Sequence, residues 1–314
     1  VRHPPQVMAY TTAEIGEEGN GWHSGVDAKQ VFDSNTTVLA SVNPDFENVE
    51  DEVESIVFSY GERWLPERRP FFVDGRGYYS SNIFYSRRVP QFDVGVKAYG
   101  RYGDWEWGAL DAWHIGDRND LVMCGRYRFD QHSSASAGVV NAEWPGVHNT
   151  AAEVYYGYYG AVSQGDFSSG VSVAKSWSAG VGGDGISEYY GVGLWPNPGY
   201  LGWGLYYEGI SSQYNPADGF VYERGYHGLS GRLNLQHKFE GRWLHSWEWD
   251  LYGHRYEAEG GGLHHSGVSG DASLATRAGS AVYIGYSSGR RPPYADRTWY
   301  AGFSWNQNHP LNSG

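Results

Sequence analysis

Apolar and polar residues alternate with period two along most of this chain, in runs of about ten residues, the length of a tilted membrane strand. In "FDVGVKAYGRY", Phe92, Val94, Val96 and Ala98 share one face while Asp93, Lys97 and Arg101 share the other. In "LSGRLNLQHKF", Leu229, Leu233, Leu235 and Phe239 oppose Arg232, Asn234, Gln236 and Lys238. In "WLHSWEWDLYGHRY", Trp247, Trp249 and Leu251 oppose Ser246, Glu248 and Asp250. Each such strand has one dry side and one wet side. Less regular runs cover 7–16, 22–32, 35–43, 104–114, 120–130, 134–144, 150–162, 167–179, 186–195, 200–211, 276–288 and 297–307. Stretches such as "GDRND", "SQGD", "WPNPG", "NPADG" and "EGGGLHHSG" punctuate them as turns. The predicted fold is all-β: an antiparallel transmembrane β-barrel of roughly 14–16 strands, built as one domain over residues 1–314.

Tryptophan and tyrosine gather near the ends of these runs, as in "WEWGALDAW", "EYYGVGLW" and "WGLYY". Aromatic girdles at two membrane interfaces produce that distribution. Alternation alone does not separate a lipid-facing side from a core-facing one. A tryptophan-rich soluble sandwich or propeller that binds or hydrolyses polysaccharide therefore stays open as the alternative.

One stretch breaks the rhythm. In residues 43–75, Val49, Val53, Ile56 and Tyr60 fit helical spacing, while Ile56, Phe58 and Tyr60 equally fit a strand. The acid-rich region 43–88 is expected to be a lumenal plug or constriction rather than wall.

Composition supports strands over helices: 17% of residues are aromatic, 45 are glycine and only 19% are charged. No run approaches the ~18 apolar residues of a spanning helix, and a mean hydropathy of −0.57 suits barrel strands that average apolar and polar faces. A formal charge of −13 excludes nucleic acid as a partner, which calls for a basic surface. Cys124 is the sole cysteine, so there is no disulfide framework, cysteine zinc cluster or haem-attachment motif. Residues 1–25 lack a positive-then-apolar signal pattern, and the chain is expected to be a piece of a longer one.

The densest chemistry lies in and around "LPERRPFF", residues 65–72. Its charges are expected in a wet interior and its phenylalanines against something greasy. Asp45, Glu50, Asp51, Glu67, Arg68, Arg69, Arg87 and Arg88 are the candidates for solute contact. Inward-facing acids and arginines set a transverse field that selects and orients solutes, and the arginine fork grips carboxylates or phosphates in two places. The competing reading is that these groups neutralise one another and anchor the insert. Glu50 and Glu67 also invite a glycosidase pairing, but chain spacing says nothing about their separation in space.

Other motif matches carry less. "GYSSG" around Ser287 fits a nucleophile elbow, yet the prolines of "RRPPYADR" forbid the helix that must follow. "GVGGDG", residues 180–185, has no βαβ surroundings; as a loop it offers calcium only Asp184 and neighbouring carbonyls. No other cofactor is expected. His264 and His265 are adjacent in a glycine-rich surface loop, and regular alternation would point them apart, which makes a poor chelate.

"VNPDFENVEDE", "PERRPFFVDG" and "IFYSRRV", followed later by "QYNPADGFVYERGYHG", resemble successive segments of an uncharacterised bacterial family of outer-membrane β-barrels. The similarity runs from about residue 22 to about residue 235. In that family the barrel usually follows a domain resembling family 9 carbohydrate-binding modules, which this chain lacks. The barrel portion is also short for the family, and the chain ends in "SWNQNHPLNSG" rather than on a terminal aromatic strand. The resemblance implies an outer-membrane barrel in a Gram-negative-type envelope and supplies no reaction. The expected function is a non-enzymatic channel, transporter component or assembly scaffold. Its partners would be the lipid bilayer with its lipopolysaccharide, other outer-membrane proteins and, in the alternative reading, carbohydrate.

Overall fold

Sixteen strands hydrogen-bond in the order of the sequence, from β1 at one edge to β16 at the other. They are β1 (Gln6–Gly16), β2 (Gly19–Phe32), β3 (Thr36–Val42), β4 (Val94–Tyr102), β5 (Trp105–His114), β6 (Arg118–Arg128), β7 (Ser133–Trp144) and β8 (Val147–Val162). The second half comprises β9 (Gly165–Ala179), β10 (Gly185–Pro196), β11 (Leu201–Ile210), β12 (Tyr226–Lys238), β13 (Leu244–Ala258), β14 (Leu263–Thr276), β15 (Ala281–Arg291) and β16 (Tyr294–Ser304). The structure, a computed structural model, describes residues 4–16, 19–32, 35–46, 64–79, 81–180, 182–197, 199–241 and 243–305. Among these, no helix is long and apolar enough to cross a membrane, which says nothing of strands. Most neighbouring strands are joined by short connections; 43–93 between β3 and β4 and 211–225 between β11 and β12 are the long ones. Pro145-Gly146 joins β7 to β8, for instance, with Gly146 at φ +79°, a conformation side chains resist.

The chain divides into two units. The first comprises Val1–Tyr155, Val173–Ile186 and Gln213–Arg224, and the second comprises Tyr156–Ser172, Ser187–Ser212 and Gly225–Gly314. In the first, the segment 64–92 lies across one face of the strands. It includes a single helical turn, Pro70–Val73, and two 3-10 turns, Arg76–Tyr78 and Ser86–Arg88. Its aromatic residues pack so close to β4 that a Cβ on Gly95 would sit 2.5 Å from the Phe92 ring and 2.8 Å from that of Phe71.

At parts of β4 and β12 burial is inverted relative to a water-soluble sheet, while the covered face of β5–β7 also buries Leu110, Val122 and Val140. On β4, Val96 is 38% exposed while its neighbour Lys97 is 1% exposed. On β12, in the second unit, Leu229 and Leu233 are 52% and 39% exposed while Ser230 and Asn234 are both at 8%. The alternation expected for Val94, Val96 and Lys97 and for Leu229, Leu233 and Asn234 is thus realised, with the apolar side bare. None of the 14 tryptophans is buried.

Several expectations are corrected. Phe92 does not join the apolar face of β4; it precedes the strand and turns into the interior, as do Phe71 and Phe72. Together with Phe46 they form a buried edge-to-face cluster, Phe71–Phe72 at 5.1 Å and Phe71–Phe92 at 4.9 Å, so the double phenylalanine faces no grease outside. The physical reason is that Pro70 starts a helical turn, which breaks the alternation that would have sent one ring outward. β14 occupies Leu263–Thr276, part of which was expected to be a turn, because "LHHSGVSGDASLAT" has small residues where an alternating apolar face would show. His264 and His265 accordingly lie in a strand and not in a loop. Val49, Val53, Ile56, Phe58 and Tyr60 lie outside the described residues.

Candidate functional site

The covered face of the first unit carries charge at successive inward positions. Opposed pairs place Arg101 beside Glu106, Glu106 beside Arg126 and Lys97 beside Leu110 across β4, β5 and β6. With Asn82 and Ser81 of the covering segment, and with Glu153 from β8, strands β5, β6 and β7 line a cavity of about 200 Å³. Its wall is mixed in sign. Glu106 takes hydrogen bonds from Arg128 at 2.5 Å and Arg126 at 3.4 Å. Glu153 is buried and accepts from the Asn82 amide nitrogens of backbone and side chain, at 3.0 and 2.6 Å. Cys124, Tyr78 and Tyr155 also line it. Two acids, Glu106 and Glu153, and one guanidinium, Arg126, around so small a volume favour a dipolar or zwitterionic guest over a neutral apolar one.

Covering segment and strands are tied by ionic contacts. Lys97 donates to the carbonyls of Phe71 and Asp74. Lys29 on β2 and Tyr99 on β4 both reach the Asp74 carboxylate at 2.7 Å. Burial alone would raise the Asp74 carboxyl, but the hydrogen bonds from Lys29 and Tyr99 and the charge of Lys97 hold it below the usual range.

A second covering stretch, 213–224, is anchored the same way. Asn149 donates to the Asn215 carbonyl at 2.7 Å and accepts from the Ala217 amide at 2.8 Å. Arg118 grips Asp120 at 2.8 Å and Asp218 at 2.6 Å. Asp218 is fully buried and its Oδ2 has no partner. Burial pushes its carboxyl up to about 8, the Asp120 charge adds to this and Arg118 offsets part. Protonation resolves the orphan oxygen: a proton on Oδ2 gives a donor toward Asp120. Because the folded value lies above the ordinary 3.8, the folded state binds the extra proton, and stability declines as pH rises from about 4 to about 8. Asp218→Asn is expected to flatten that decline, by on the order of a few kcal/mol at pH 8. Urea-unfolding midpoints of both proteins at pH 5 and pH 8 check this; equal slopes with pH would contradict it.

The residues singled out from sequence behave mainly as anchors. Glu67 and Arg69 form a half-buried bidentate pair, with Nη2–Oε2 at 2.7 Å and Nε–Oε1 at 3.0 Å. Arg69 also donates to the carbonyls of Ser86 and Val89, at 2.5 and 2.8 Å, and lies 4.3 Å from the Phe72 ring centroid. Burial acts to raise the Glu67 carboxyl, and Arg69 outweighs it, so the group sits below its ordinary value. Arg87 donates to the Pro66 carbonyl at 2.9 Å, and Asp45 accepts from Thr12 at 2.6 Å. The backbone amide of Arg68 donates to Glu67 at 2.9 Å, while its side chain and that of Arg88 are exposed. Glu50 and Asp51 lie outside the described residues, so the Glu50–Glu67 pairing does too. In the 180–185 loop, Asp184 Oδ1 accepts from the Ser178 amide at 3.4 Å. Ser287 sits mid-strand on β15, between Ser269 and Thr298.

Sequence reasoning missed Glu106, Arg118, Asp120, Arg126, Arg128, Glu153 and Asp218. The first five share a signal that could have found them, since "RNDLVMCGRYR" places Asp120, Arg126 and Arg128 on one parity and pairs Arg126 with Glu106 across the ladder. Asp218 had no such signal, because "NPADG" reads locally as a turn.

No protein-family model matches the sequence, and no curated protein does. Among solved structures, the chain is similar to three from Pseudomonas aeruginosa. These are OccK11 (OpdR), at 11% identity and TM-score 0.44 over 95% of this chain and 92% of that one; OprD, at 10% and 0.46 over 95% and 85%; and OccK5 (OpdH), at 11% and 0.45 over 91% and 83%.

Proposed function

We propose that this chain is an outer-membrane β-barrel channel, non-enzymatic, with its strands as a wall in lipid and the described part of the 43–88 region, residues 43–46, 64–79 and 81–88, as a constriction of the lumen. The observation that carries this reading is the inverted burial. Leaving Leu229 or Leu233 about half bare in water forgoes roughly 1 kcal/mol per side chain, a penalty that vanishes against lipid tails. On the other face Lys97, Asp120 and Glu153 are buried under the covering segments, each held by protein partners. Strands of 9 to 16 residues, as in β4 and β8, meet the roughly 9–11 that a tilted span needs. Lipid and lipopolysaccharide are then the partners of the bare face. A soluble polysaccharide-binding sandwich would gather tryptophans in a core or a sugar groove, and their scatter over the exposed faces does not favour it.

Within this reading, Glu106, Glu153 and Arg126 on the cavity wall orient a passing solute, while Glu67 and Arg69 hold the constriction in place. Purified protein added to a planar lipid bilayer is expected to give discrete conductance steps. Insertion of folded protein without conductance would replace the channel by a sealed scaffold.

A further inference from the structure

The ladder between β13 and β14 slips by one residue beside Tyr256. Tyr256 pairs with His265 and Glu257 with Leu263, leaving His264 as the extra residue of a bulge. In a regular strand His264 and His265 would project to opposite faces. The bulge brings both to one side, with their Nδ1 atoms 2.7 Å apart and their ring centroids 5.0 Å apart. Aromatic packing fixes both rings: His264 stacks on Tyr226 at 5.0 Å and His265 on Tyr256 at 4.6 Å, and both tyrosines are buried. A third imidazole, His254, lies 5.1 Å from His265, and its buried Nδ1 has no partner among the described residues.

We propose that this bulge binds a divalent transition-metal ion of the zinc, nickel or copper class, with His264 Nδ1 and His265 Nδ1 as its protein ligands. Imidazole nitrogen suits these ions and not calcium or magnesium. An ion about 2.0–2.1 Å from each nitrogen needs the two about 2.9 Å apart in a square-planar site and about 3.3 Å apart in a tetrahedral one, so the rings must part by roughly 0.2–0.6 Å. Without metal, one Nδ1–H donates to the other Nδ1. For both to offer a lone pair, that hydrogen moves to Nε2 of the same ring, so both rings stay neutral and the ion meets no added charge. Protonation of either ring competes with the ion, so binding weakens as pH falls. The packing on Tyr226 and Tyr256 holds the rings in place before the ion arrives, as supporting groups do at metal sites.

The test is titration of the purified full chain with Zn²⁺ by calorimetry and with Cu²⁺ by electron paramagnetic resonance. One tight equivalent is expected, with the hyperfine pattern of two imidazole nitrogens on copper. His264→Gln and His265→Gln should each weaken Zn²⁺ binding roughly 100-fold, at least the loss that follows removal of a mere supporting group. His132→Gln, far along the chain on an exposed turn, should leave it unchanged. Affinity unaltered in the folded double variant would overturn the proposal. If that variant fails to fold, a copper spectrum of the unaltered chain without two imidazole nitrogens overturns it equally.

Discussion

Replacing Lys97 with methionine is expected to destabilise the protein by about 3–5 kcal/mol, the range for breaking a buried charged contact from one side. Lys97 is almost wholly buried, and its ammonium donates to the carbonyls of Phe71 and Asp74 on the covering segment. Charge-assisted hydrogen bonds of this kind contribute roughly 1.5–3 kcal/mol each. Methionine keeps the volume and removes the donors, leaving two carbonyls unsatisfied and Asp74 with Lys29 as its remaining basic partner. The loss falls on the attachment of 64–92 rather than on the β-ladder, whose backbone hydrogen bonds are untouched. Cleavage within 64–92 by a protease should therefore speed up before the strands unfold, and conductance should rise as the constriction loosens. Unchanged proteolysis in a variant of unchanged stability would show that the Lys97 contacts do not hold the segment.

Replacing Arg126 and Arg128 together with glutamine is expected to shift ion selectivity toward cations by about fivefold, equivalent to roughly 1 kcal/mol of altered interaction per passing ion at close range. The two guanidiniums face Glu106, and Glu153 lies on the same cavity. Their removal leaves the acids without opposing charge, while the Glu153–Asn82 contacts that fasten the segment remain. Reversal potentials in a salt gradient across a planar bilayer measure the shift. The paired substitution Arg68→Ala and Arg69→Ala should act differently, through loss of the Glu67 pair and of the bonds to Ser86 and Val89, and so chiefly on stability. An unchanged reversal potential after loss of Arg126 and Arg128 would remove the cavity from the permeation path.

Which parts of this were legible in the sequence follows from how locally each is encoded. Wall strands announce themselves because side-chain alternation is a property of neighbouring residues, and Val96 beside Lys97 or Leu233 beside Asn234 carry it without help. β14 stayed hidden because serine, glycine and alanine at its apolar positions blur the contrast. The covering segments were harder. Phe71, Phe72 and Phe92 looked like wall or lipid-facing residues, since nothing in their sequence states that a helical turn and a preceding loop fold them together over Gly95. Glu67 with Arg69 was findable as a short-range pair, whereas Arg118 with Asp218 joins residues far apart in the chain and appears only after folding. The His264–His265 geometry inverts the expectation from alternation because a one-residue bulge is invisible to a period-two rule.

The central claim is that the apolar face of these strands lies against lipid and the polar face does not. Leu233 and Asn234, adjacent on β12 and directed to opposite faces, test it most directly. Each is replaced singly by cysteine, next to the natural Cys124 changed to serine, and labelled with an environment-sensitive fluorophore in protein reconstituted with brominated lipids. Strong quenching at position 233 with little at 234 is the result expected. Equal quenching at both, or none at 233 in a protein that stays monodisperse without detergent, would contradict the account.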